Sequence, residues 1–220
     1  MGSILGHIAA CDRSERAYRG GMEFDTVVRR RRSVRKYRQE APSGAVLDRI
    51  IDTARRAPTA GFSQGVDFLV LDAPESVAQF RRLTAHPDQH LRDDLAEAQP
   101  PVIVVVWSDP ERYLGRYSEA DKAKFGLQDP ERWPVKFWDV DAAMAAMQLQ
   151  LAAVNEGLDT WFFGIAHGEQ AMRDAFGVPG NRRIVGVIGI GYRTDDEVAF
   201  GSGSTRKRRP LDEQLHRNGW

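Results

Sequence analysis

The stretch "DVDAAMAAMQLQLAAVNEG", residues 139–157, decides the fold. It is apolar on almost every side of a helix: from Ala142 to Val154 only Gln148 and Gln150 interrupt that surface, and Gly157 ends the stretch. A helix that is apolar all round must be buried all round. In a chain of 220 residues, this predicts a central helix, or one that a partner subunit covers.

Helical and strand patterns alternate on both sides of this stretch. Helices are predicted to start near Glu23, Ser43 and Pro74, and another in "GEQAMRDAFG". "PVIVVVW" is apolar on both faces, which predicts a central strand. The interleaving predicts an α/β or α+β fold around one sheet. The predicted strands are residues 67–71, 101–107, 160–165 and 184–192.

Residues 109–138 differ in character from the rest of the chain. "DPER" occurs twice, at Asp109 and Asp129, and predicts two helix starts, with Asp as the cap and Pro in the first turn. Aromatic residues, among them Trp133 and Phe137, crowd the segment. We call residues 109–138 the aromatic excursion and expect it to cover a binding site.

Composition excludes several classes of protein. The 31 basic residues are balanced by 31 acidic ones, which argues against a nucleic-acid partner. The single cysteine, Cys11, excludes an internal disulfide framework and fits the reducing cytoplasm. No apolar run is long enough to predict a membrane span. Residues 1–21 lack a signal-peptide pattern and are interpreted as an appendage to one domain, residues 22–220.

Two other kinds of site are not predicted. His86 and His90 are four residues apart, but Pro87 lies between them and a third ligand is not evident, so we expect no metal site. The glycines of "GVIGIG" lie in a strand pattern without the following turn and helix of a dinucleotide fingerprint. They predict close packing of a strand instead.

Positive charge is concentrated at two remote places. "RRRRSVRKY" covers residues 29–37, and a second basic run covers residues 206–209. Each could be a solvated face, or both could converge on one phosphate, because guanidinium groups match phosphate oxygens in a bidentate manner. Periodicity alone leaves both readings open.

Four segments, in order, resemble motifs of the FMN-dependent nitroreductase family over about residues 24–220. They are "RRSVRKY", "ARRAPTAGFSQGVDFLVL", "DVDAAMAAMQLQLAAVNEGLDTWFFGI" and "GVIGIGYRTDD" with the later "RKRRPLDEQLHRNGW". Residues 109–138 and the tail most resemble those of actinobacterial members.

The resemblance implies a nitroreductase-like α+β fold, with a central mixed or antiparallel sheet flanked by helices. It also implies an intertwined homodimer that exchanges a C-terminal arm, residues 200–220, and holds one FMN at each of two shared sites. The aromatic excursion would lie over the active site. Bound flavin would carry the hydride chemistry, so no protein acid or base is predicted.

The family motifs also imply residue roles. Arg31, Arg32 and Ser33 would hold the FMN phosphate and ribityl chain, and Arg206 and Arg208 would close on the same phosphate. We predict that three aromatic side chains bind the acceptor: Phe62, Trp133 and Phe137. The remaining residues implied in FMN binding are Pro58, Thr59, Ala60, Gln64, Phe163 and Gly164.

The sequence departs from the family pattern beside Gln64. Phe62 stands where the family has an Asn that hydrogen-bonds the flavin ring, and Gly65-Val66 stand where it has Pro-Trp. Phe62 is therefore interpreted as a stacking or lid residue, or as a sign of altered flavin binding.

Three functions are weighed. The leading hypothesis is an oxidoreductase that passes hydride from NAD(P)H through FMN to a nitroaromatic, a quinone or a related small-molecule acceptor in a ping-pong cycle. The second is a flavin-storage protein without turnover, and the third is a nucleic-acid binder. A deazaflavin is a variant of the first, and the choice between NADH and NADPH stays open.

Overall fold

The computed structural model describes residues 22–85, 99–199 and 201–220. The predicted appendage, with Cys11, and the pair His86 and His90 lie outside the described residues.

Four strands of the described chain form one sheet: β1 (Val66–Leu71), β2 (Val102–Ser108), β3 (Asp159–Phe163) and β4 (Arg183–Gly191). Their order is β1-β2-β4-β3, and every neighbouring pair is antiparallel. Val104 in the middle of β2 lies opposite Val70 on one side and Ile188 on the other. The whole of β2 is buried, which confirms the predicted central strand.

Seven α-helices lie in the described part of the chain: α1 (Phe24–Arg30), α2 (Gly44–Ala54), α3 (Pro74–Thr84), α4 (Pro110–Ser118), α5 (Phe137–Asn155), α6 (Glu169–Ala175) and α7 (Ser202–Thr205). Leu47 of α2 and Leu149 of α5 pack on one face of the sheet. Phe80 of α3 and Met172 of α6 pack on the other. The predicted α+β fold, with helices flanking the sheet, is confirmed.

Helix α5 is covered on one side only. Its residues Ala146 and Leu149 are buried in the core between α2 and the sheet. On its other side Val140, Met144 and Met147 are 38%, 38% and 41% exposed. Their spacings of four and three residues place them in one stripe. Within one subunit the helix is therefore central, but an apolar stripe stays open to solvent.

The aromatic excursion has the two predicted helix starts. The Asp109 carboxylate accepts from the Glu111 N–H at 3.1 Å and begins α4. The Asp129 carboxylate accepts from the Glu131 N–H at 2.9 Å and begins a 3₁₀ turn. A cluster of buried aromatic rings holds the excursion together: Tyr113, Trp133 and Trp138.

The glycines of β4 allow close packing, as predicted. A Cβ on Gly186 would lie 2.3 Å from the Phe162 ring, and one on Gly189 would lie 2.6 Å from Pro100. Neither distance is possible for a real side chain, so "GVIGIG" is a tightly packed strand.

Candidate functional site

The basic segment of residues 31–38 runs along the β3 edge of the sheet. Ser33 forms a parallel bridge with Thr160 near the start of β3. Tyr37 forms an antiparallel bridge with Arg193, just after β4. The main chain is therefore fixed at two points, and an extended segment of this kind points successive side chains to opposite sides.

Three consecutive acidic residues, "DDE" at 195–197, neutralise three basic side chains of this segment. The ion pairs are Arg32–Glu197, Lys36–Asp196 and Arg38–Asp195, the last at 2.7 Å. Much of the basic run is thus matched within the fold, which is consistent with the zero net charge. The acidic triplet directly after β4 is visible in the sequence, but only the structure shows which residues it pairs with.

The segment also contains Arg31, Ser33 and Arg35, which take no part in these three ion pairs. In the described residues, no carboxylate lies within ion-pair distance of Arg31. The Arg35 guanidinium lies 5.6 Å from the centre of the Trp161 ring. Arg35 is not among the predicted site residues. Its place between Ser33 and Tyr37, both of which bridge to the sheet, puts it beside the same edge.

The other end of β3 presents Phe163 and Gly164. The Phe163 ring lies 4.4 Å from the Trp161 ring, centre to centre. Gly164 is exposed, and open space lies where a Cβ would be. Thr160 and Gly164 are four residues apart, or roughly 13 Å along an extended strand. The β3 edge therefore combines a cationic end with an unobstructed main chain at its other end.

The loop before β1 is held by the buried carboxylate of Asp141. One oxygen of Asp141 accepts from the Ala60 N–H at 2.7 Å and from the Tyr113 hydroxyl at 2.8 Å. Arg116 donates to the Gly61 carbonyl at 2.9 Å. Burial, with Asp141 beside the hydroxyl, raises the pKa of Tyr113 far above its usual range. Because Tyr113 and Arg116 belong to the aromatic excursion, the excursion fixes this loop.

The same loop holds two side-chain-bearing residues in the left-handed region. Gly61, Phe62 and Gln64 have φ angles of 63°, 57° and 52°. Such angles are natural for glycine but strained for a bulky residue. The Phe62 side chain is 76% exposed and therefore packs little against the core. Gly65 is needed for a different reason, because a Cβ there would lie 2.5 Å from the Tyr113 ring.

A cavity of about 500 Å³ lies beside this turn. Two arginines on its wall, Arg55 and Arg56, share the Asp52 carboxylate at 2.6 and 2.9 Å. Pro58 lines a separate groove of about 670 Å³ between α1, α2 and α5. The residues lining the cavity are Ala54, Arg55, Arg56, Ala57, Thr59, Phe62, Gln64, Val66 and Ala145.

The Ser33 end of β3 and the loop before β1 lie at diagonally opposite corners of the sheet. Val66, which follows the loop, is level with Arg183 through Ser108. Ser33 is level with Ile190 through Thr160. Seven residues of β4 and four strand spacings separate the two corners, which is roughly 23 Å along the strands and roughly 19 Å across them. Within one subunit, the Ser33 end of the β3 edge therefore lies far from the loop before β1.

The remaining predicted residues differ in accessibility. Trp133 is 4% exposed inside the aromatic cluster, whereas Phe137, at the start of α5, is 39% exposed. Arg206 and Arg208 lie in the arm, where residues 201–220 are all exposed.

The described residues contain neither a membrane-spanning helix nor a cluster of metal-binding side chains. In the described part of the chain, no helix has the length and apolar character that crossing a membrane requires. The described residues also hold no group of three or more His, Cys, Asp or Glu side chains that could bind a metal ion.

The described chain is an α+β subunit with a basic segment along the β3 edge of its sheet and a cavity beside Phe62 at the opposite corner. The chain belongs to the Nitroreductase family: the sequence model of that family matches residues 28–192. The predicted family resemblance is thereby confirmed.

Two related proteins align in sequence with most of the chain. A candidate NADH dehydrogenase/NAD(P)H nitroreductase of Archaeoglobus fulgidus is 24% identical over 86% of this chain and 94% of its own. The candidate NAD(P)H nitroreductase YfhC of Bacillus subtilis is 26% identical over 86% of this chain and 91% of its own.

Solved structures share the fold. A candidate nitroreductase from Exiguobacterium sibiricum, crystallised with FMN, gives a TM-score of 0.66 at 21% identity and covers 90% of this chain and 98% of its own. CLA-ER, an enone reductase of gut-bacterial fatty acid saturation, gives 0.67 at 20% identity, again over 90% and 98%.

Proposed function

We propose that this protein is an FMN-dependent oxidoreductase that takes hydride from NAD(P)H and reduces a nitroaromatic, a quinone or a related small acceptor. The observation that carries the proposal is the β3 edge. Cationic side chains and a hydroxyl lie at one end of this edge, and the unshielded main chain of Gly164 lies roughly 13 Å away at the other. A ligand with a phosphate at one end and a flat ring at the other fits that donor set. Membership of the family and the names of the relatives support the same activity.

The residues along β3 would hold the cofactor. Arg31 and Ser33 would bind the phosphate and ribityl chain, with Arg206 and Arg208 of the arm closing over the phosphate, because guanidinium groups pair strongly with phosphate oxygens. The main chain at Phe163 and Gly164 would donate to the polar edge of the ring, where a fixed N–H stabilises negative charge. FMN, when bound, supplies hydride transfer from NAD(P)H to the acceptor, each using the site in turn.

The loop before β1 would form the other half of the site. Thr59, Ala60 and Gln64 would approach the cofactor, and Pro58 would shape the loop where it leaves α2. Phe62 and Phe137 are exposed enough to contact a flat acceptor, and Trp133 would support that wall from within the aromatic cluster.

A homodimer follows from the division of the site. Because the Ser33 end of the β3 edge and the loop lie at opposite corners of one subunit, each site would combine the β3 edge of one subunit with the loop of the other. The exposed stripe of Val140, Met144 and Met147 borders the apolar groove and supplies a surface for such a partner. A location in the reducing cytoplasm belongs to the same proposal.

Purified protein tests this function. The proposal expects a flavin absorption spectrum and steady oxidation of NADH or NADPH that depends on added menadione or a nitroaromatic. Bound flavin without turnover would favour storage, and protein that takes up no added FMN would overturn the enzyme. The ion pairs of the acidic triplet disfavour a nucleic-acid function, because they occupy three of the basic side chains.

A further inference from the structure

Glu197 is the most buried member of the acidic triplet. Its side chain is 2% exposed, against 66% for Asp196 and 95% for Asp195. Its partner Arg32 is 31% exposed. The second oxygen of Glu197, Oε1, has no hydrogen-bond partner in the described part of the chain. The Arg32 guanidinium is therefore the charge that compensates a buried carboxylate.

A phosphate could recruit Arg32 only at the expense of Glu197. If the guanidinium turned to a ligand, a buried carboxylate would lose its counter-charge, and removing one partner of a buried pair is strongly destabilising. The carboxylate would also repel the incoming phosphate. Both effects keep Arg32 on Glu197.

The neighbouring residues are placed in a way that agrees with this. Val34 is fully buried, and Ser33, between Arg32 and Val34, is exposed and bridges to Thr160 of β3. Because Glu197 holds the Arg32 side chain, the main chain at Arg31 and Ser33 is restrained as well.

We infer that the Arg32–Glu197 pair is a positioning element for the cofactor phosphate, and that Arg32 is not itself a phosphate ligand. The pair locks residues 31–33 so that Arg31 and Ser33 face the ligand. Glu197 lies three residues before the arm, so the pair also anchors the chain that leads to it. This inference rests on the proposed function and reassigns one of its predicted contacts.

The direction in which Glu197→Gln changes FMN affinity distinguishes the two roles of Arg32. In the positioning role, Glu197→Gln loosens Arg32 and raises the FMN dissociation constant about tenfold, and Arg32→Met does the same. The double variant is no worse than either single one, because both remove the same interaction. If Arg32 binds phosphate, Glu197→Gln releases it and FMN affinity is unchanged or tighter, which would overturn the inference.

Flavin fluorescence titration with FMN and with riboflavin provides the measurement. A loss of about tenfold for FMN, with less than about threefold for riboflavin, assigns the effect to the phosphate end. Lys36→Met combined with Asp196→Asn removes the neighbouring exposed pair and should change neither constant by more than about threefold.

If the single variants unfold, a variant in which both members of the pair are replaced by apolar residues can be tested instead. Arg32→Met with Glu197→Met replaces the buried ion pair with apolar side chains, which is often tolerated. It should recover FMN affinity relative to Arg32→Met alone, whereas a lost phosphate ligand cannot be recovered this way. Wild-type protein that binds neither flavin would refute the proposed function itself, and the positioning role with it. Wild-type protein that binds FMN while Glu197→Gln binds it equally or more tightly would refute the positioning role alone.

Discussion

Phe62 combines strain with exposure, which is unusual for a phenylalanine. Its φ of 57° is left-handed, and its side chain is 76% exposed. Neither core packing nor local preference explains the conformation. The contacts that impose it come from Asp141 on Ala60 and from Arg116 on Gly61. Strain that the surroundings enforce is typical of functional sites, and here it presents an aromatic ring beside a cavity.

Substituting Phe62 tests the acceptor wall. Phe62→Ala should raise KM for aromatic acceptors about twofold to tenfold, since ring stacking contributes roughly 0.5–1.5 kcal/mol. FMN affinity should stay nearly unchanged, and Phe62→Asn should not tighten it. Steady-state kinetics and flavin titration measure both quantities. Markedly tighter FMN binding by Phe62→Asn would instead place residue 62 at the ring edge of the cofactor.

Stability gives an independent check on the strain at the same residue. Phe62→Gly removes the same ring as Phe62→Ala but adopts a positive φ without cost. The glycine variant should therefore be more stable than the alanine variant by about 1 kcal/mol in urea unfolding. An alanine variant of equal or greater stability would show that the turn relaxes to a negative φ.

Two buried tyrosines predict loss of stability in alkali. Burial raises the pKa of both Tyr37 and Tyr113, and nearby carboxylates add to the effect. In the unfolded chain both ionise near 10.0, whereas the folded protein keeps them protonated. The stability that they contribute is full below pH 10 and is lost as the pH rises, by about 1.4 kcal/mol per tyrosine and pH unit.

Urea unfolding at pH 8 and pH 11 measures this loss. Tyr113→Phe should reduce it, and Tyr117→Phe, at a less buried position, is the control.

At the scale of elements, the sequence predicts those helices and strands whose signals lie within a few neighbouring residues. The β-branched run of β2 predicts a central strand, and the Asp-Pro pairs predict two helix starts, because each signal lies within a few residues. Phe62 and Gln64 have no preference for a positive φ, so the turn could not be predicted. The pairing of residues 195–197 with residues 32–38 also depends on sheet topology, since about 160 positions separate the partners. The predicted strand 160–165 ends at Phe163, where pairing with Val187 of β4 stops.

The arm is the element whose proposed role is most easily isolated. Arg206→Ala or Arg208→Ala should weaken FMN more than riboflavin, because both side chains are assigned to the phosphate. Losing one charge-assisted pair costs roughly 1.5–3 kcal/mol, or about tenfold to a hundredfold in affinity. Arg29 is 82% exposed and paired with Asp25 at 3.8 Å, so Arg29→Ala is the matched control and should leave the affinity for both flavins nearly unchanged. Equal losses for both flavins would assign the arm to folding or to the dimer.

At the scale of the molecule, the diagonal separation of the two half-sites links assembly to chemistry. In the proposed function, the β3 edge and the loop before β1 each supply only part of the contacts to the flavin. In a two-fold dimer both sites form together, because the same contact is made twice. Subunits without a partner should then bind flavin poorly even though they are folded.

Mixing defective subunits tests whether the site is shared. Arg31→Glu repels the phosphate from the β3 edge, and Thr59→Trp fills the cavity beside the loop, so each variant alone should bind little FMN. After the subunits exchange in mild denaturant and are returned to buffer, about half of the dimers pair the two variants. Each such dimer has one site with both defects and one with none, so FMN binding should recover to about a quarter of the wild-type capacity.

The double variant mixed with wild-type protein is the control: its mixed dimers contain no intact site, so binding should fall below half of the wild-type capacity. If the single variants bind no more FMN after mixing than before, both halves of the site belong to one subunit, and the division across the sheet has no role in binding.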